Sequence, residues 1–576
     1  MTADYERLSF LDSSFLAMES RVTHFHVAGM LVLEAAPLRR EDGGIDVARI
    51  RRFIEARMHL VPRYRQRLAL VPFERHPVWV DDEHFNIDYH IRHSSLPKPG
   101  TFDQLKLLMG RLCSQQLDRS KPLWELYVVE GLEGDRFAII SKIHHSMIDG
   151  ISGVDLMAVL LNLAPTSEIP DSPPFEPRPT PSGAELVVRE TARRAGRAAA
   201  ALRSVQTLSE DIQSMALEGA RRVRAMRNSL GSGWLTSATK TPLNGAIGPN
   251  RRFETLKTPL DDVKEIKNTL GGTVNDVILA TVAGGVRKFL VDERDFDVSS
   301  IDFRVMAPVS VRSPSQRGTL GNQVAMWLAS LPVAEADPAA RLAAVAAETE
   351  NLKRTDQALG AASIVRMSSG APSTLVSLAS RLATGARPFN MTVTNVPGPQ
   401  FPFYLLESQL LDQYPLVPLW NGHGVGIALF SYNGEVSWGF NADYDVMYDL
   451  EAFVAAIQAS FEDLLTLARG GTAATASRAP KPTTAKSRGS TPKKRPPMGA
   501  TTKPSAAKMP AAKKPAAKAA AAKSAAKKPA ARKPAARKPA AKSAAEKPAA
   551  KKPAVRESTA EQAAFEKSTA KNPATS

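Results

Sequence analysis

The sequence predicts an α/β protein in two halves, followed by a disordered tail. Three observations carry this. Strand-like and helix-like runs alternate over residues 1 to about 164, and again from about 250 to 468. Between them lie a stretch with seven prolines, "PTSEIPDSPPFEPRPTP" (165–181), and a long amphipathic region. Beyond 470 the chain becomes rich in Lys, Ala and Pro. The expected division is therefore 1–164, a crossover at 165–250, a second half at 251–470 and a tail at 471–576.

In the first half, "FHVAGMLVLE" (25–34) and "FAIISKIHH" (137–145) are rich in apolar and β-branched residues and read as strands. "TFDQLKLLMGRLCSQQLD" (101–118) spaces its apolar residues as a helix does. In the crossover, Leu202, Val205, Leu208, Ile212, Met215, Val223, Met226 and Leu230 recur at helical steps within 185–230, with arginines between them. Such a region either packs on the body or touches anionic lipid. In the second half, 303–311, 323–333, 391–398 and 424–443 read as strands. Asn433-Gly434 marks a hairpin in the last of these. A closing helix runs over 449–471 and ends on two glycines.

Charge divides as sharply as composition. Of 75 Lys and Arg and 58 Asp and Glu, 26 and 4 fall in 471–576, leaving 49 and 54 in the body. The tail alone is strongly basic. With one aromatic, Phe565, it has almost nothing to bury and is expected to be disordered. A polycation of this kind suits DNA, RNA or anionic lipid, or serves only as a solubilising extension. The lone cysteine, Cys113, excludes an internal disulfide. No run of about 18 apolar residues occurs, and the first twenty residues do not resemble a secretory signal. The expected location is cytoplasmic, with any membrane contact peripheral.

"KIHHSMIDGISG" (142–153) sets His144 beside His145 just before a turn containing Asp149 and Gly150. Neighbours on a strand point to opposite faces, so the two rings are expected to have different tasks. Divergent rings suit a metal poorly, and no metal is expected. No G-x-S-x-G occurs, which argues against a serine hydrolase elbow. A histidine at a strand end can act as a general base near neutral pH. An isolated pair is more ordinarily hydrogen-bonded in a core.

The rest of the sequence bears on that choice. H-H-x-x-x-D-G occurs together with "LSFLDSSFLAMES", "THFHVAG", "LDRSKPLWE" (117–125), "GGTVNDVILA" (271–280), "MAPVSVR" (306–312), "GNQVAMWLASLP" (321–332) and "NVPGP" (395–399). In this order the set resembles the bacterial wax ester synthase/acyl-CoA:diacylglycerol acyltransferase family, especially its actinobacterial triacylglycerol synthases. The likeness covers roughly residues 5–468; the basic tail lies outside it.

The resemblance implies two chloramphenicol-acetyltransferase-like domains around a tunnel, and transfer of a long-chain acyl group from acyl-CoA to diacylglycerol or a fatty alcohol. It implies no cofactor beyond acyl-CoA as substrate. It makes His145 the base, His144 its support and Asp149 a turn-holding carboxylate paired with an unidentified arginine. Gly150 would let the backbone pass close to substrate. Asn275 would donate near the reacting carbonyl, with Asp276 organising its turn, although both residue types are also common at helix N-termini. Pro122, Leu123 and Trp124 would shape the acyl channel or simply pack. It also implies docking at a membrane or lipid droplet. Two rival readings are a degenerate lipid-binding scaffold whose tail holds nucleic acid, and a condensation-type transferase using another acceptor.

Overall fold

The structure, a computed structural model, describes residues 5–147, 159–206, 236–310, 324–354 and 387–470. The basic tail and the outer part of the amphipathic crossover lie outside these residues, as do Asp149 and Gly150. Residues Met1–Ala479 form one compact unit.

In chain order the elements of the first half are β1 (Glu6–Arg7), α1 (Phe10–Met18), β2 (His26–Glu34), α2 (Val47–Arg57), β3 (Gln66–Leu70), β4 (Pro77–Asp81), α3 (Ile87–His90), β5 (Ile91–Ser95), α4 (Phe102–Cys113), β6 (Trp124–Leu132) and β7 (Arg136–His144). The crossover carries α5 (Gly183–Gln206). There follow β8 (Arg251–Pro259), α6 (Leu260–Leu270), α7 (Val274–Lys288), β9 (Phe303–Ser310), β10 (Val324–Leu331), α8 (Pro338–Arg354), β11 (Met391–Pro397), β12 (Tyr404–Leu405), β13 (Ser408–Leu416), β14 (Val425–Tyr432), β15 (Glu435–Asp443) and α9 (Leu450–Ala468).

Two six-stranded sheets dominate. One runs β12-β13-β2-β7-β6-β5 and the other β10-β9-β11-β14-β15-β8; a small sheet β1-β4-β3 stands apart. Side chains along β7 alternate between two faces. Phe137, Ile139 and Ile143 enter one buried cluster, and Ala138 and Ile140 enter another, so β7 is covered on both faces. On the second face Lys142 is fully buried, its ammonium 2.9 Å from Glu125 and 3.2 Å from the carbonyls of Leu112 and Gln115.

Local signals explain the helix starts. Thr101 and Gln104 form a capping box at α4, and Thr273 and Asp276 do the same at α7. The helix expected over 101–118 is shorter, ending at Cys113. Ser114 then bonds back to the Gly110 carbonyl through its hydroxyl at 2.7 Å. The hairpin at Asn433-Gly434 forms as expected, both residues with positive φ (47° and 87°). The proline-rich stretch contains no helix or strand among residues 165–181, yet it is fastened to the body. Arg178 grips Asp81 at 2.8 and 2.9 Å, and the Thr180 N–H donates to Glu83 at 2.8 Å.

Two junctions bind early and late parts of the chain. Along the first, α4 lies against β8. A Cβ on Gly110 would stand 2.7 Å from the Arg251 carbonyl oxygen, and the Arg251 N–H donates to Ser114 Oγ at 2.8 Å. Arg251 and Asp443, both buried, sit 3.6 Å apart. At the second, β13 leaves the second half and pairs with β2, placing Pro415 opposite Gly29. Its Pro415 carbonyl presses on Gly439 of β15, where a Cβ would lie 1.8 Å from the oxygen. Gly439→Ala is expected to destabilise the protein by about 1–3 kcal/mol, read as a lower thermal midpoint; an unchanged midpoint would mean that β13 can shift freely.

Candidate active site

The site is built where β7 stops. The His144 N–H donates to Leu123 on one side at 2.9 Å, and the His145 N–H donates to Phe25 on the other at 2.9 Å. The chain then enters a 3₁₀ turn over His145–Met147. Phe25 itself has φ +45°, a left-handed conformation that costs a bulky residue free energy and that these neighbours hold in place.

The two histidines separate as the alternation predicts. His144 is buried. Its Nδ1 accepts from the Ser146 backbone N–H at 3.1 Å and from the Ser146 hydroxyl at 2.7 Å, so the neutral ring carries its proton on Nε2. That nitrogen is 3.7 Å from Glu19, outside direct hydrogen-bond reach. Burial, then the charge of Arg119 and the neighbouring His145, pushes the His144 pKa down to about 3.

His145 is only half-buried. Its ring lies 4.1 Å from that of Phe15, centroid to centroid. Its Nδ1 is enclosed with no hydrogen-bond partner among the described residues. Desolvation, partly opposed by its own backbone, pushes its pKa down to about 4, so it is neutral at pH 7. An aromatic chain continues from it. Phe15 meets Phe25 at 5.6 Å, Phe25 meets Trp420 edge-on at 5.2 Å, and Trp420 meets Phe389 at 6.0 Å. The first two rings come from the first half of the chain and the last two from the second.

Beneath His144 lies a polar cluster that sequence reasoning did not single out. Glu19 ends α1, and Arg119 holds its carboxylate with Nε at 2.9 Å. His26 pairs with His144 across the strands, and its Nε2 is 3.9 Å from Glu19. Burial raises the Glu19 pKa against the pull of Arg119, and burial holds His26 well below the ordinary histidine range. Glu19, His26 and Arg119 all lie inside the motifs quoted above. A carboxylate at the end of a helix, beside an H-x-H at a strand start, is the signal that could have found them.

The other expected residues fall in three groups. Pro122, Leu123 and Trp124 are buried where β6 meets the end of β7. Trp124 donates its indole N–H to Tyr64 at 2.8 Å and stacks on His90 at 4.4 Å. Asn275 and Asp276 lie in the first turn of α7. Asp276 is buried and accepts from the Thr273 N–H and hydroxyl, each at 2.8 Å, and from the Thr349 hydroxyl at 2.7 Å. Asn275 is half-buried, and no hydrogen bond among the described residues joins it to His145. Asp149 and Gly150 form the third group, beyond the described residues. Cys113 is buried in α4 with its thiol pushed up to about 12, which suits a core residue rather than a nucleophile.

Two surface pockets of about 520 and 500 Å³ sit at the opposite end of the first sheet, around Arg39, Arg40 and Asp42, and include none of these residues. Among the described residues no group of three or more His, Cys, Asp or Glu is placed to hold a metal ion. Nor is any helix among them long and apolar enough to cross a membrane.

Comparison with known proteins bears on this arrangement. The wax ester synthase/diacylglycerol acyltransferase catalytic domain matches residues 8–278, and the C-terminal domain of the same family matches 320–465. Two relatives from Mycobacterium tuberculosis H37Rv carry the name diacylglycerol O-acyltransferase. One is 31% identical over 473 residues, covering 80% of this chain and 91% of its own. The other is 30% identical over 471 residues, covering 80% and 96%. The solved wax ester synthase/diacylglycerol acyltransferase from Marinobacter aquaeolei VT8 shares the fold, with TM-score 0.58 and 24% identity over 81% of this chain and 100% of that one. The first condensation domain of the calcium-dependent antibiotic synthetase shares it too, with TM-score 0.51 and 16% identity over 83% and 99%. The two-sheet fold is thus that of CoA-dependent acyltransferases and condensation domains. The chain belongs to the wax ester synthase/diacylglycerol acyltransferase family and is an acyl-CoA-dependent acyltransferase of that class.

Two outcomes follow from the site's electrostatics and caps. Asp276→Ala removes a helix cap and is expected to cost about 1 kcal/mol of stability in denaturant unfolding, whereas Asn275→Ala leaves the unfolding midpoint unchanged. His144 and His145 have folded-state pKa values below their unfolded value. The unfolded chain therefore takes up protons first as pH falls. Stability should drop between about pH 6.5 and the folded values of about 4 and 3, and not above that window.

Proposed function

We propose that this chain transfers a long-chain acyl group from acyl-CoA to the hydroxyl of diacylglycerol, with fatty alcohol as a second acceptor and His145 as general base. The observation that carries the reading is the divergence of the histidine pair. His144 is spent on internal bonds. His145 is neutral and partly open, beside an aromatic wall drawn from both halves of the chain.

In this reading a tunnel passes between the lobes at 1–164 and 251–470, with 165–250 as their crossover. The acceptor hydroxyl meets the thioester carbonyl beside His145. The hydroxyl oxygen bonds to the carbonyl carbon as the imidazole takes its proton. Hydrogen-bond donors, Asn275 among them, steady the oxyanion of the tetrahedral intermediate. The carbon–sulfur bond then breaks, and the imidazolium returns its proton to the CoA sulfur. Asp149 holds the turn after the histidines, and Gly150 keeps that turn close to substrate. His144, locked as one tautomer, fixes the backbone that aims His145. Pro122, Leu123 and Trp124 back the acyl channel.

Both substrates carry long apolar chains, so the enzyme works where they dissolve. A peripheral location on the inner membrane or a lipid droplet follows, aided by the arginines of 189–227. The tail at 471–576 adds cationic attraction to anionic lipid; nucleic acid is its other candidate partner.

His145→Ala is expected to lower transfer from labelled acyl-CoA to diacylglycerol by roughly 10²–10⁴-fold, read by lipid chromatography, and retained turnover would refute the assigned base. Hexadecanol in place of diacylglycerol tests the second acceptor. The acid limb of kcat/KM should fall near about 4 rather than near the ordinary histidine value, because a depressed pKa keeps the base neutral to lower pH. Removing 471–576 should weaken co-sedimentation with anionic vesicles and make what remains less sensitive to salt, because fewer counterions are released on binding; unchanged partition would remove the tail from membrane docking.

A further inference from the structure

The β3–β4 hairpin and the start of α5 share a small core of their own and present a surface that the histidine site does not use. β3 and β4 pair up to Leu70 opposite Pro77. The turn beyond is closed by the Val71 N–H donating to His76 at 3.0 Å and the Arg75 N–H donating to Val71 at 2.8 Å. Within it Phe73 and Arg75 both have positive φ, 63° and 53°. Left-handed backbone at two such residues persists only where the surroundings hold it.

Here α5 does the holding, on both sides of Phe73. Leu186 packs with Val71, Val78 and Val80, and a Cβ on Gly183 would stand 3.1 Å from the Pro72 ring. Glu74, the residue after Phe73, is clamped by Arg194 at 2.5 Å and Arg7 at 3.3 Å. Glu190 is likewise engaged by Arg7, by Arg193 at 2.6 Å and by the Tyr5 hydroxyl at 3.0 Å. The turn is thus fixed, and yet Phe73 is 97% exposed, with Leu70 and Val188 also open to solvent.

An aromatic ring held outward by strained backbone is unlike the scattered apolar residues of an ordinary surface. Its surroundings carry an excess of positive charge. Arg7, Arg75, Arg193 and Arg194 stand against Glu74 and Glu190; ion pairs engage Arg7, Arg193 and Arg194, and Arg75 is exposed in the turn itself. We propose that this hairpin tip is the membrane-docking wedge of the protein. Phe73 and Leu70 enter the boundary between headgroups and acyl chains of an anionic phospholipid surface, and the exposed Arg75 beside them rests on the lipid phosphates. The proposal rests on the reading that the enzyme draws its substrates from lipid.

The test uses the full-length chain. Cys113 is buried, so a Phe73→Cys variant takes an environment-sensitive dye at position 73 alone. With phosphatidylcholine vesicles containing phosphatidylglycerol, the emission should shift to the blue and be quenched by nitroxide-labelled acyl chains; vesicles of phosphatidylcholine alone should do much less. A dye that stays open to aqueous iodide while the protein sediments with the vesicles overturns the proposal, as does the absence of any sedimentation. A dye that becomes shielded with rising protein concentration, without lipid, makes the tip a contact between copies and also overturns it. In a second arm, Phe73→Asp should lower vesicle partition about tenfold, the factor equivalent to about 1.4 kcal/mol, and leave acyl transfer in detergent micelles unchanged. Wild-type protein inactive in those micelles would count against the catalytic reading, while the dye still reports on the surface.

Discussion

Two consecutive backbone hydrogen bonds set the geometry on which the site depends. At the end of β7, the amide of His144 is taken by Leu123 and that of His145 by Phe25. Successive amides of an extended chain point to opposite sides, so the last amide of β7 and the first beyond it tie the strand's end to the residues that precede β6 and β2. That fixes where the strand can turn. It also fixes which ring goes where: His144 inward to Ser146 and the Glu19 cluster, His145 outward to Phe15. A one-residue slip would exchange the two histidines, since strand faces alternate with period two.

The environment of each ring follows from that division. Both pKa values are depressed chiefly by burial, but the consequence differs. His144 has its proton placed by internal donors and cannot serve a substrate without breaking them. His145 is held neutral in surroundings built from rings, and it keeps some exposure. Arg119, itself half-exposed, pairs with the buried Glu19 carboxylate and compensates a charge that would otherwise stand alone beneath His144.

The large architecture is a matter of close backbone approach. The two halves are sealed where α4 meets β8 and where β13, paired with β2, presses on β15, and Gly110 and Gly439 stand at these contacts because a Cβ would collide with a carbonyl oxygen. The aromatic wall beside His145 depends on this seal, since Phe25 and Trp420 lie almost 400 positions apart in the sequence.

Much of this was legible in the chain itself. β2, β7, β9, β10, β11, β14, β15 and α9 could be read from apolar periodicity, and the Asn433-Gly434 turn from its residue types, because these are signals of neighbouring residues. The divergence of His144 and His145 was legible for the same reason: alternation is a local rule. Family membership came from the order of motifs. The pairing of β13 with β2, the chain of rings from Phe15 to Phe389, and the Glu19–His26–His144 cluster came only from the tertiary structure. So did the outward presentation of Phe73. Each joins residues distant in sequence through shape, burial and backbone contact, and no periodicity within a short window encodes which distant surface will close over which.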